Sequence, residues 1–442
     1  MDQRYLAAIQ IGSSCVKGAL AKIDADISTP KVNVIAIESV PINNCVRYGV
    51  IQNVKEVEAA VADVIRLLND HLKNRRIAHV YVAIDGRSFR AKSKIIEHQY
   101  FDETEITERL IEEIKNEARI DENSDNEVID VLAKSFIIDK AEVANPIGSF
   151  GSHIKANLTQ LVCSSHLTRN IERVIPVTIT KKVALHTAIA DMVLTSEEKQ
   201  IGCMLVDLGA QTTTVSIYRK GVLQYLATIP MGSRNITNDI ASVFNLVEEK
   251  AEALKLHPEK APEGIDSKRL ENCINARSAE IVENIVAQLR FAGNMSKNDI
   301  PAGIVLVGQG AKLDATTDYF RKHQLKFHFG EIDNTIDVYD SNIDPAECID
   351  IISILKAASK FKIDSTELVE DKPYQGEIDF EDENEDEEPD GPVVTGNEGN
   401  EGGKTGGKKG KGWTPKWLGG LIDQINRIAV EEEDDDDDEN KI

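Results

Sequence analysis

The stretch Cys203–Tyr218, CMLVDLGAQTTTVSIY, decides the fold of this chain. An apolar run ends in an acid and a small-residue turn, and a β-rich segment follows at once, which predicts two strands joined by a tight turn. Backbone N–H groups of such a turn can face phosphate oxygens, and Asp207 at the strand end can hold a cation or position a water. An ordinary β-hairpin has the same pattern, so this stretch alone leaves both interpretations open.

The N-terminal segment repeats the pattern. Residues 5–23 alternate apolar with small or polar residues about Gly12, Ser13 and Ser14, which predicts a first strand-turn-strand and a second phosphate turn. Lys17 lies a few residues beyond the turn, where its ammonium can reach a phosphate; a solvated strand lysine is the simpler interpretation.

A third turn follows at residues 303–313, GIVLVGQGAKL. The buried strand IVLV runs into Gly308 and Gly310, and a glycine turn after a strand lets backbone approach a flat ligand such as adenosine. Three strand-and-turn segments in one chain favour a shared nucleotide site over three unrelated hairpins.

Charge and cysteine usage limit the function classes. The net charge is −24, and the residues from Ser365 onward, with 25 acidic and 8 basic side chains, carry −17 of it. Nucleic-acid binding needs a basic face, so it is not expected. The six cysteines are scattered without a C-x-x-C pair, which favours reduced thiols in a cytosolic protein. Neither a secretory signal nor a long apolar span is apparent.

Periodicity predicts two lobes and an insert. Residues 1–78 with 164–196 form the predicted first lobe, residues 197–362 the second, and residues 79–163 a self-contained β-α-β interaction module. Apolar residues three and four apart predict a helix that begins after Asn53 as its N-cap. Further helices are predicted over residues 102–118, 169–195 (mainly helical), 236–244, 248–256 and 273–291.

The C-terminal segment has three parts. Residues 363–412 are acidic and then rich in Gly and Lys, which predicts a disordered linker. Residues 413–430 predict an amphipathic helix that binds a membrane surface, with a docking helix for a protein groove as the alternative. Residues 431–442 are acidic and are expected to moderate membrane affinity. The predicted membrane-binding residues are Trp413, Trp417, Leu418, Leu421, Ile422, Ile425 and Ile428.

Together, IQIGSSCVKGAL, MLVDLGAQTTTVSIY and GIVLVGQGAKL resemble the two phosphate motifs and the adenosine motif of the actin, sugar-kinase and heat-shock-chaperone superfamily. The stretches VYVAIDGRSF, NPIG, NITNDIA and AEALKL, with the C-terminal helix, resemble more narrowly the FtsA family of bacterial actin-like division proteins. This resemblance implies an α/β, two-lobed actin-like ATPase fold with ATP and Mg²⁺ in the cleft between the lobes. It also implies that the insert is a small α+β subdomain, 1C.

The resemblance assigns roles by position. Asp207 would hold Mg²⁺ or its water and carry any catalysis. The phosphates would face Gly12, Ser13, Ser14, Lys17, Gly209, Thr212 and Thr213. The adenosine would be lined by Gly308, Gly310 and Ala311, with Glu252, Lys255 and Arg277 near the base and ribose.

The chain departs from the family pattern in every turn. Gln10 replaces an acid that tunes the Mg²⁺ shell, and Gln309 replaces a glycine. Ala210 and Gln211 replace two glycines and crowd the approach of backbone to phosphate, and Thr214 replaces a closing acid. Hydrolysis depends on cation placement and a positioned water, so at most a weak ATPase, or a pseudo-ATPase, is expected.

The function implied by the resemblance is a tether between the tubulin-like division polymer FtsZ and the cytoplasmic face of the inner membrane. Such a protein is peripheral, lies at the division site, self-associates into protofilaments and contacts other division proteins through the insert. A pilus-platform-type membrane scaffold is one alternative. A small-molecule kinase of the same fold is another, but no acid outside the phosphate motifs stands out as its general base.

Overall fold

The computed structural model describes residues 3–24, 31–121, 125–143, 145–339, 343–361 and 368–370. The chain divides into one unit from Met1 to Val369 and a second from Glu370 to Ile442, and only the backbone of Glu370 is described in the second. The predicted linker, amphipathic helix and acidic segment therefore lie outside the described residues.

The strands are numbered along the chain. They are β1 (Gln3–Ile11), β2 (Cys15–Asp24), β3 (Val32–Pro41), β4 (Val46–Arg47), β5 (Val50–Ile51), β6 (Arg75–Ile77), β7 (His79–Ile84), β8 (Arg90–Glu105), β9 (Asn126–Ile138), β10 (Ala141–Val143), β11 (Phe150–Ser164), β12 (Thr178–Ala184), β13 (Cys203–Leu208), β14 (Thr213–Arg219), β15 (Val222–Ile229), β16 (Gly303–Val307), β17 (Phe327–Phe329), β18 (Ile336–Val338) and β19 (Leu368–Glu370).

The helices are numbered in the same way. They are α1 (Val54–Asn69), α2 (Glu108–Glu117), α3 (Ser165–Val174), α4 (Leu185–Val193), α5 (Ser196–Ile201), α6 (Arg234–Phe244), α7 (Glu248–Leu256), α8 (Ser267–Phe291), α9 (Asp314–Lys322) and α10 (Ile349–Ser359). Among the described helices, none is both long and apolar enough to cross a membrane.

The first lobe is built on a six-stranded sheet in the order β12-β7-β1-β2-β3-β18, counted over the described residues. Strands β1, β2 and β3 form an antiparallel meander, whereas β7 and β12 run parallel to β1. Helix α1 packs against β2 and β3, and its N-cap is confirmed because the Asn53 side chain accepts a hydrogen bond from the Glu56 N–H. Helices α4 and α10 pack against each other, and α10 also packs against β1 and β2.

The second lobe comprises strands β13 to β17 and helices α5 to α9. Its strands continue into the insert as one nine-stranded sheet in the described chain, in the order β10-β9-β11-β8-β15-β14-β13-β16-β17. The strands of the lobe have two buried faces. Cys203 and Leu205 of β13 belong to the core shared with the first lobe, whereas Met204 and Val206 belong to the core under α6 to α9. Because both faces are covered, the strand reads as a continuous apolar run.

The insert begins later than the sequence predicts. Strand β7, within the predicted insert of residues 79–163, lies between β1 and β12 of the first sheet, and Val80 to Ile84 are buried there. Strands β8 to β11 and helix α2 form the insert proper, with a core of their own that includes Ile96 and Phe136. Strand β8 joins the second lobe at one backbone pairing, Arg90 with Ala227.

The second lobe also ends earlier than predicted. Strand β18 pairs in parallel with β3, and α10 packs on the first sheet, so the last part of the range 197–362 belongs to the first lobe. The chain crosses from the second lobe back to the first before Ile336. The two strands that pair here are separated by about 300 residues in the sequence. No local pattern signals such a pairing, so the periodicity did not predict this boundary.

Several element boundaries also differ from the prediction. Helix α2 begins at Glu108, because Thr107 caps it and residues 102–105 extend β8. Strand β12 interrupts the segment 169–195, which was predicted to be mainly helical. Helix α8 begins at Ser267 rather than at residue 273, with Asp266 as its N-cap. The predicted helices over residues 236–244 and 248–256 are confirmed as α6 and α7.

Candidate functional site

The first two predicted turns have the same backbone geometry. The Gly209 N–H donates to the Thr212 carbonyl at 2.9 Å, and the Gly12 N–H donates to the Cys15 carbonyl at 2.9 Å. Both turns close antiparallel hairpins, β13–β14 and β1–β2, one in each lobe. The sequence therefore predicted both hairpins correctly, and the fold places one phosphate-type turn on each side of the cleft.

The second-lobe turn is braced against the start of α6. The N–H groups of Ser233 and Arg234 donate to the carbonyls of Gly209 and Ala210, at 3.0 and 2.7 Å. The Thr213 side chain is buried, and its hydroxyl donates to the Met231 carbonyl at 2.8 Å. This side chain was predicted to face phosphate, but its hydroxyl is already used to hold the turn.

The third turn lies beside the second, because β16 runs parallel to β13. Gly308 has φ +84°, and a Cβ added there would lie 2.5 Å from the Leu208 carbonyl oxygen and 2.7 Å from Asp207 Oδ1. A Cβ on Gly310 would overlap the Leu208 side chain at 2.0 Å. Glycine is therefore required at both positions for the adenosine-type turn to pack against the strand that carries Asp207. Ala311 is buried next to them.

Three carboxyl groups interact in the cleft: Asp85 after β7, Asp207 on β13 and Asp350 on α10. Burial raises the pKa of Asp207 to about 7, with repulsion from Asp85 and Asp350 adding to it and Lys17 partly opposing it. Burial and repulsion from Asp350 raise the pKa of Asp85 to about 6. Among the groups that act on the pKa of Asp207, two carboxyl groups oppose one lysine, so acidic groups outnumber cations in this cluster.

Lys17 is held by one of these acids. Its Nζ lies 2.6 Å from Asp350 Oδ2, and it also donates to the Glu347 carbonyl at 3.5 Å. Burial by itself lowers the pKa of Lys17, but the Asp350 carboxylate outweighs it and raises the pKa well above its usual range. Lys17 is therefore an ion-pair partner at the cleft and is not a solvated strand lysine.

Replacing Lys17 with Met is expected to destabilise the protein by about 2–3 kcal/mol, because the Asp350 carboxyl group loses its ion-pair partner beside Asp85 and Asp207. Lys31→Met is the matched control: it breaks the exposed Lys31–Asp337 pair and should cost less than about 1 kcal/mol. Urea unfolding of both variants measures the difference. Adding Asp350→Asn to Lys17→Met should recover part of the loss, and equal costs for the two lysines would contradict this role.

His186 contacts the cluster from a buried position, and the half-buried Gln10 lies next to Lys17 in the first sheet. His186 on α4 is 3 % exposed, its Nδ1 lies 3.5 Å from Asp207 Oδ2, and burial lowers its pKa to about 3, so it remains neutral. The Oε1 of Gln10, opposite Lys17 in the β1–β2 pairing, is buried and lacks a hydrogen-bond partner among the described residues. It is an oxygen acceptor where the family motif has an acid.

The three residues that were predicted near the base and ribose lie around α6. Lys255 on α7 is buried, and its Nζ contacts Glu252 at 2.7 Å and the Thr237 hydroxyl at 3.1 Å. Burial lowers the pKa of Lys255, with Glu252 opposing the shift. Arg277 on α8 instead donates to both oxygens of Asp239, at 2.6 and 3.0 Å. The fold thus joins Glu252 and Lys255 in one network and places Arg277 in another.

The oxygen atoms of this cluster are of the donor types that Mg²⁺ prefers. Asp85, Asp207 and the Gln10 amide oxygen are hard oxygen donors, and Mg²⁺ is usually held by one or two carboxylates together with waters and phosphates. Within the described ranges, no group of three His, Cys, Asp or Glu side chains is arranged to hold a metal ion.

The sequence did not single out Asp85, His186 or Asp350. Asp85 carries a readable signal, since VYVAIDG repeats the pattern of LVDLG, an apolar strand that ends in Asp before a glycine turn. His186 and Asp350 lie on helices without a distinctive local pattern, and only their packing brings them to the cluster. The predicted membrane-binding residues from Trp413 to Ile428 lie outside the described residues.

Two family models match the chain. The model described as "Cell division protein FtsA" matches residues 204–346, and the model described as "SHS2 domain inserted in FTSA" matches residues 86–162. The second match begins after β7, in agreement with the boundary that the sheet topology gives to the insert.

Curated relatives carry the same description. "Cell division protein FtsA" of Porphyromonas gingivalis is 29% identical over 334 residues, which are 70% of this chain and 68% of the relative. The protein of that description from Pseudomonas aeruginosa is 25% identical over 344 residues, 71% of this chain and 80% of the relative.

A solved structure, "PilM-PilN type IV pilus biogenesis complex", contains a chain of similar fold, with a TM-score of 0.56 and 14% identity. The similarity covers 80% of this chain and 99% of that chain. At this identity it bears on the fold alone, and the predicted two-lobed actin-like ATPase fold with an inserted subdomain is confirmed.

Proposed function

Because the chain belongs to the FtsA family of bacterial actin-like cell-division proteins, we propose that it binds ATP with Mg²⁺ between its lobes and tethers the FtsZ polymer to the membrane. It self-associates through its actin-like body and contacts further division proteins through the insert. It acts on the cytoplasmic face of the inner membrane, as a peripheral protein at the division site.

One observation carries the nucleotide part of this proposal. Asp85 and Asp350 raise the pKa of Asp207, which precedes the Gly209 turn, and Lys17, which follows the Gly12 turn, is the one described cation among the groups that act on this pKa. Asp207 would hold Mg²⁺ or its water, and the N–H groups of the Gly12 and Gly209 turns would face the phosphates, so that the cation would screen the carboxyl groups from the phosphates.

Hydrolysis is expected to be slow or absent. Lys17 is engaged by Asp350 instead of being free for a phosphate. Gln10 is neutral where the family motif has an acid, and Gln211 occupies a glycine position in the second turn. Nucleotide then serves mainly to order the cleft.

A titration tests the nucleotide part. A fluorescent ATP analogue should bind saturably to the full chain, and binding should tighten with Mg²⁺. If saturable binding is absent both with and without Mg²⁺, the protein is a scaffold that binds no nucleotide. Its tethering function would then be independent of ATP.

The membrane part rests on the sequence pattern of residues 413–430. Deleting these residues is expected to abolish pelleting with vesicles that contain anionic lipid, because the apolar face with its two tryptophans is lost, and Lys416 with it. Deleting residues 431–442 is the control and should leave pelleting intact or strengthen it, since an acidic run opposes an anionic surface. Unchanged pelleting after the first deletion would rule out this anchor.

A pilus-platform-type scaffold of the same fold is the second candidate, because the actin-like fold by itself fits both functions. Co-sedimentation with polymerised FtsZ separates the two functions. The division tether should pellet with the polymer at micromolar concentration, whereas a pilus scaffold should remain in the supernatant.

A further inference from the structure

A side chain of the second-lobe turn bonds directly to the first lobe. Gln211 Oε1 accepts a hydrogen bond from the backbone N–H of Tyr48 at 2.9 Å. Gln211 lies in the turn between β13 and β14, and Tyr48 lies in the turn between β4 and β5. The bond therefore joins the two lobes at the end of the cleft where the phosphate-type turns lie.

The first-lobe end of this bond is firmly positioned. Tyr48 and Gly49 have φ of +52° and +80°, and the Tyr48 carbonyl accepts from the Arg87 N–H at 3.0 Å. Gly49 packs so closely on Gly86 that an added Cβ would lie 2.5 Å from the Gly86 Cα. The turn that supplies the donor is thus fixed to the segment that begins with Asp85.

The second-lobe end is equally fixed. The Gly209–Thr212 turn is closed by its own hydrogen bond, and its carbonyls accept from Ser233 and Arg234 at the start of α6. Neither end can move far without breaking other backbone bonds. Separation of the lobes at this point must therefore break the Gln211–Tyr48 bond.

We propose that Gln211 and Tyr48 form an interlobe clasp that holds the cleft closed before any nucleotide is bound and slows its opening afterwards. A glycine at position 211 has no side chain to make this bond. The clasp itself stands on the geometry alone, whereas its effect on nucleotide exchange rests on the proposed nucleotide binding.

Hydrogen exchange of the full chain without nucleotide tests the clasp. In Gln211→Ala, the Tyr48 amide should exchange roughly threefold to tenfold faster than in the wild type, the range expected for loss of one neutral hydrogen bond. Gln200→Ala is the matched control, because it makes the same change at an exposed glutamine of α5, outside the three turns. An unchanged Tyr48 exchange rate in Gln211→Ala would overturn the clasp.

A second measurement follows bound nucleotide. Dissociation of a fluorescent ATP analogue should be faster from Gln211→Ala by a similar factor, because the cleft of this variant opens without breaking the bond, and it should be unchanged in Gln200→Ala. Equal dissociation rates in wild type and Gln211→Ala would overturn the effect on exchange. If no variant binds the analogue, the proposed nucleotide binding is wrong, while the Tyr48 exchange rate still decides the clasp.

Discussion

Replacing Asp207 with Asn is expected to stabilise the nucleotide-free protein by about 2–4 kcal/mol at pH 8 and to weaken Mg²⁺-dependent ATP binding more than tenfold. The folded protein raises the pKa of Asp207 from 3.8 to about 7, chiefly through burial. Its ionisation therefore opposes folding. Below pH 4, Asp207 is protonated in both states and does not reduce the free energy of unfolding. Between pH 4 and pH 7 its ionisation lowers the free energy of unfolding progressively, and the full loss is present above about pH 7.

The asparagine cannot ionise and escapes this penalty. The gain in stability should accordingly shrink as the pH falls from 7 towards 4, and urea unfolding at pH 8 and pH 5 measures it. Asp63→Asn, at an exposed carboxyl group on α1, is the control and should change stability by less than about 0.5 kcal/mol at either pH. A gain that is the same at both pH values would show that ionisation is not its cause.

The Asp207→Asn variant should gain stability but lose affinity for the nucleotide. Asp207 contributes a charged oxygen donor to the proposed cation, and an amide oxygen is a weaker ligand for Mg²⁺. The comparison is made with the ATP analogue in Mg²⁺ and in a chelator. Loss of affinity in Mg²⁺ alone supports the cation role, whereas equal loss in both conditions contradicts it.

Gly308→Ala is expected to destabilise the protein by about 3 kcal/mol or more, the second large effect. The added Cβ meets the Leu208 carbonyl at 2.5 Å and Asp207 Oδ1 at 2.7 Å, and the backbone has a φ of +84° that alanine rarely adopts. Because the contact includes Asp207, the substitution also shifts the acid that is proposed to hold the cation. ATP analogue binding should fall in the molecules that still fold.

Gly293→Ala separates the steric clash of the added Cβ from the strain of the positive φ. Gly293 also has a positive φ, +100°, but no heavy atom lies within 4 Å of its added Cβ. It should therefore cost only the backbone strain, about 1 kcal/mol. Urea unfolding of both variants isolates the steric contribution at Gly308, and similar costs at the two positions would mean that the third turn is not packed tightly against Asp207.

Local chemistry was sufficient for many of the elements. The Gly12 and Gly209 hairpins, the Asn53 cap of α1 and the buried strand before Gly308 are each determined by residues within a few positions of one another. Turn glycines, cap side chains and the alternation of apolar residues act over that distance, so a sequence pattern predicts them.

Assignment of strands to sheets was not local. Strand β7 has an apolar pattern that fits either a strand of the insert or one of the first sheet, and only pairing with β1 and β12 places it in the first lobe. The return of the chain through β18 and α10 depends in the same way on partners that are about 300 residues distant in sequence.

For the candidate site, the sequence by itself determined the three turns and Asp207, because each lies within one strand-turn segment. Only the tertiary structure decided that Asp85, His186 and Asp350 meet Asp207, and that Gln211 bonds to Tyr48. The physical reason is that a buried charge has its pKa set by every group that packs around it, and a hydrogen bond between lobes exists only once both are folded.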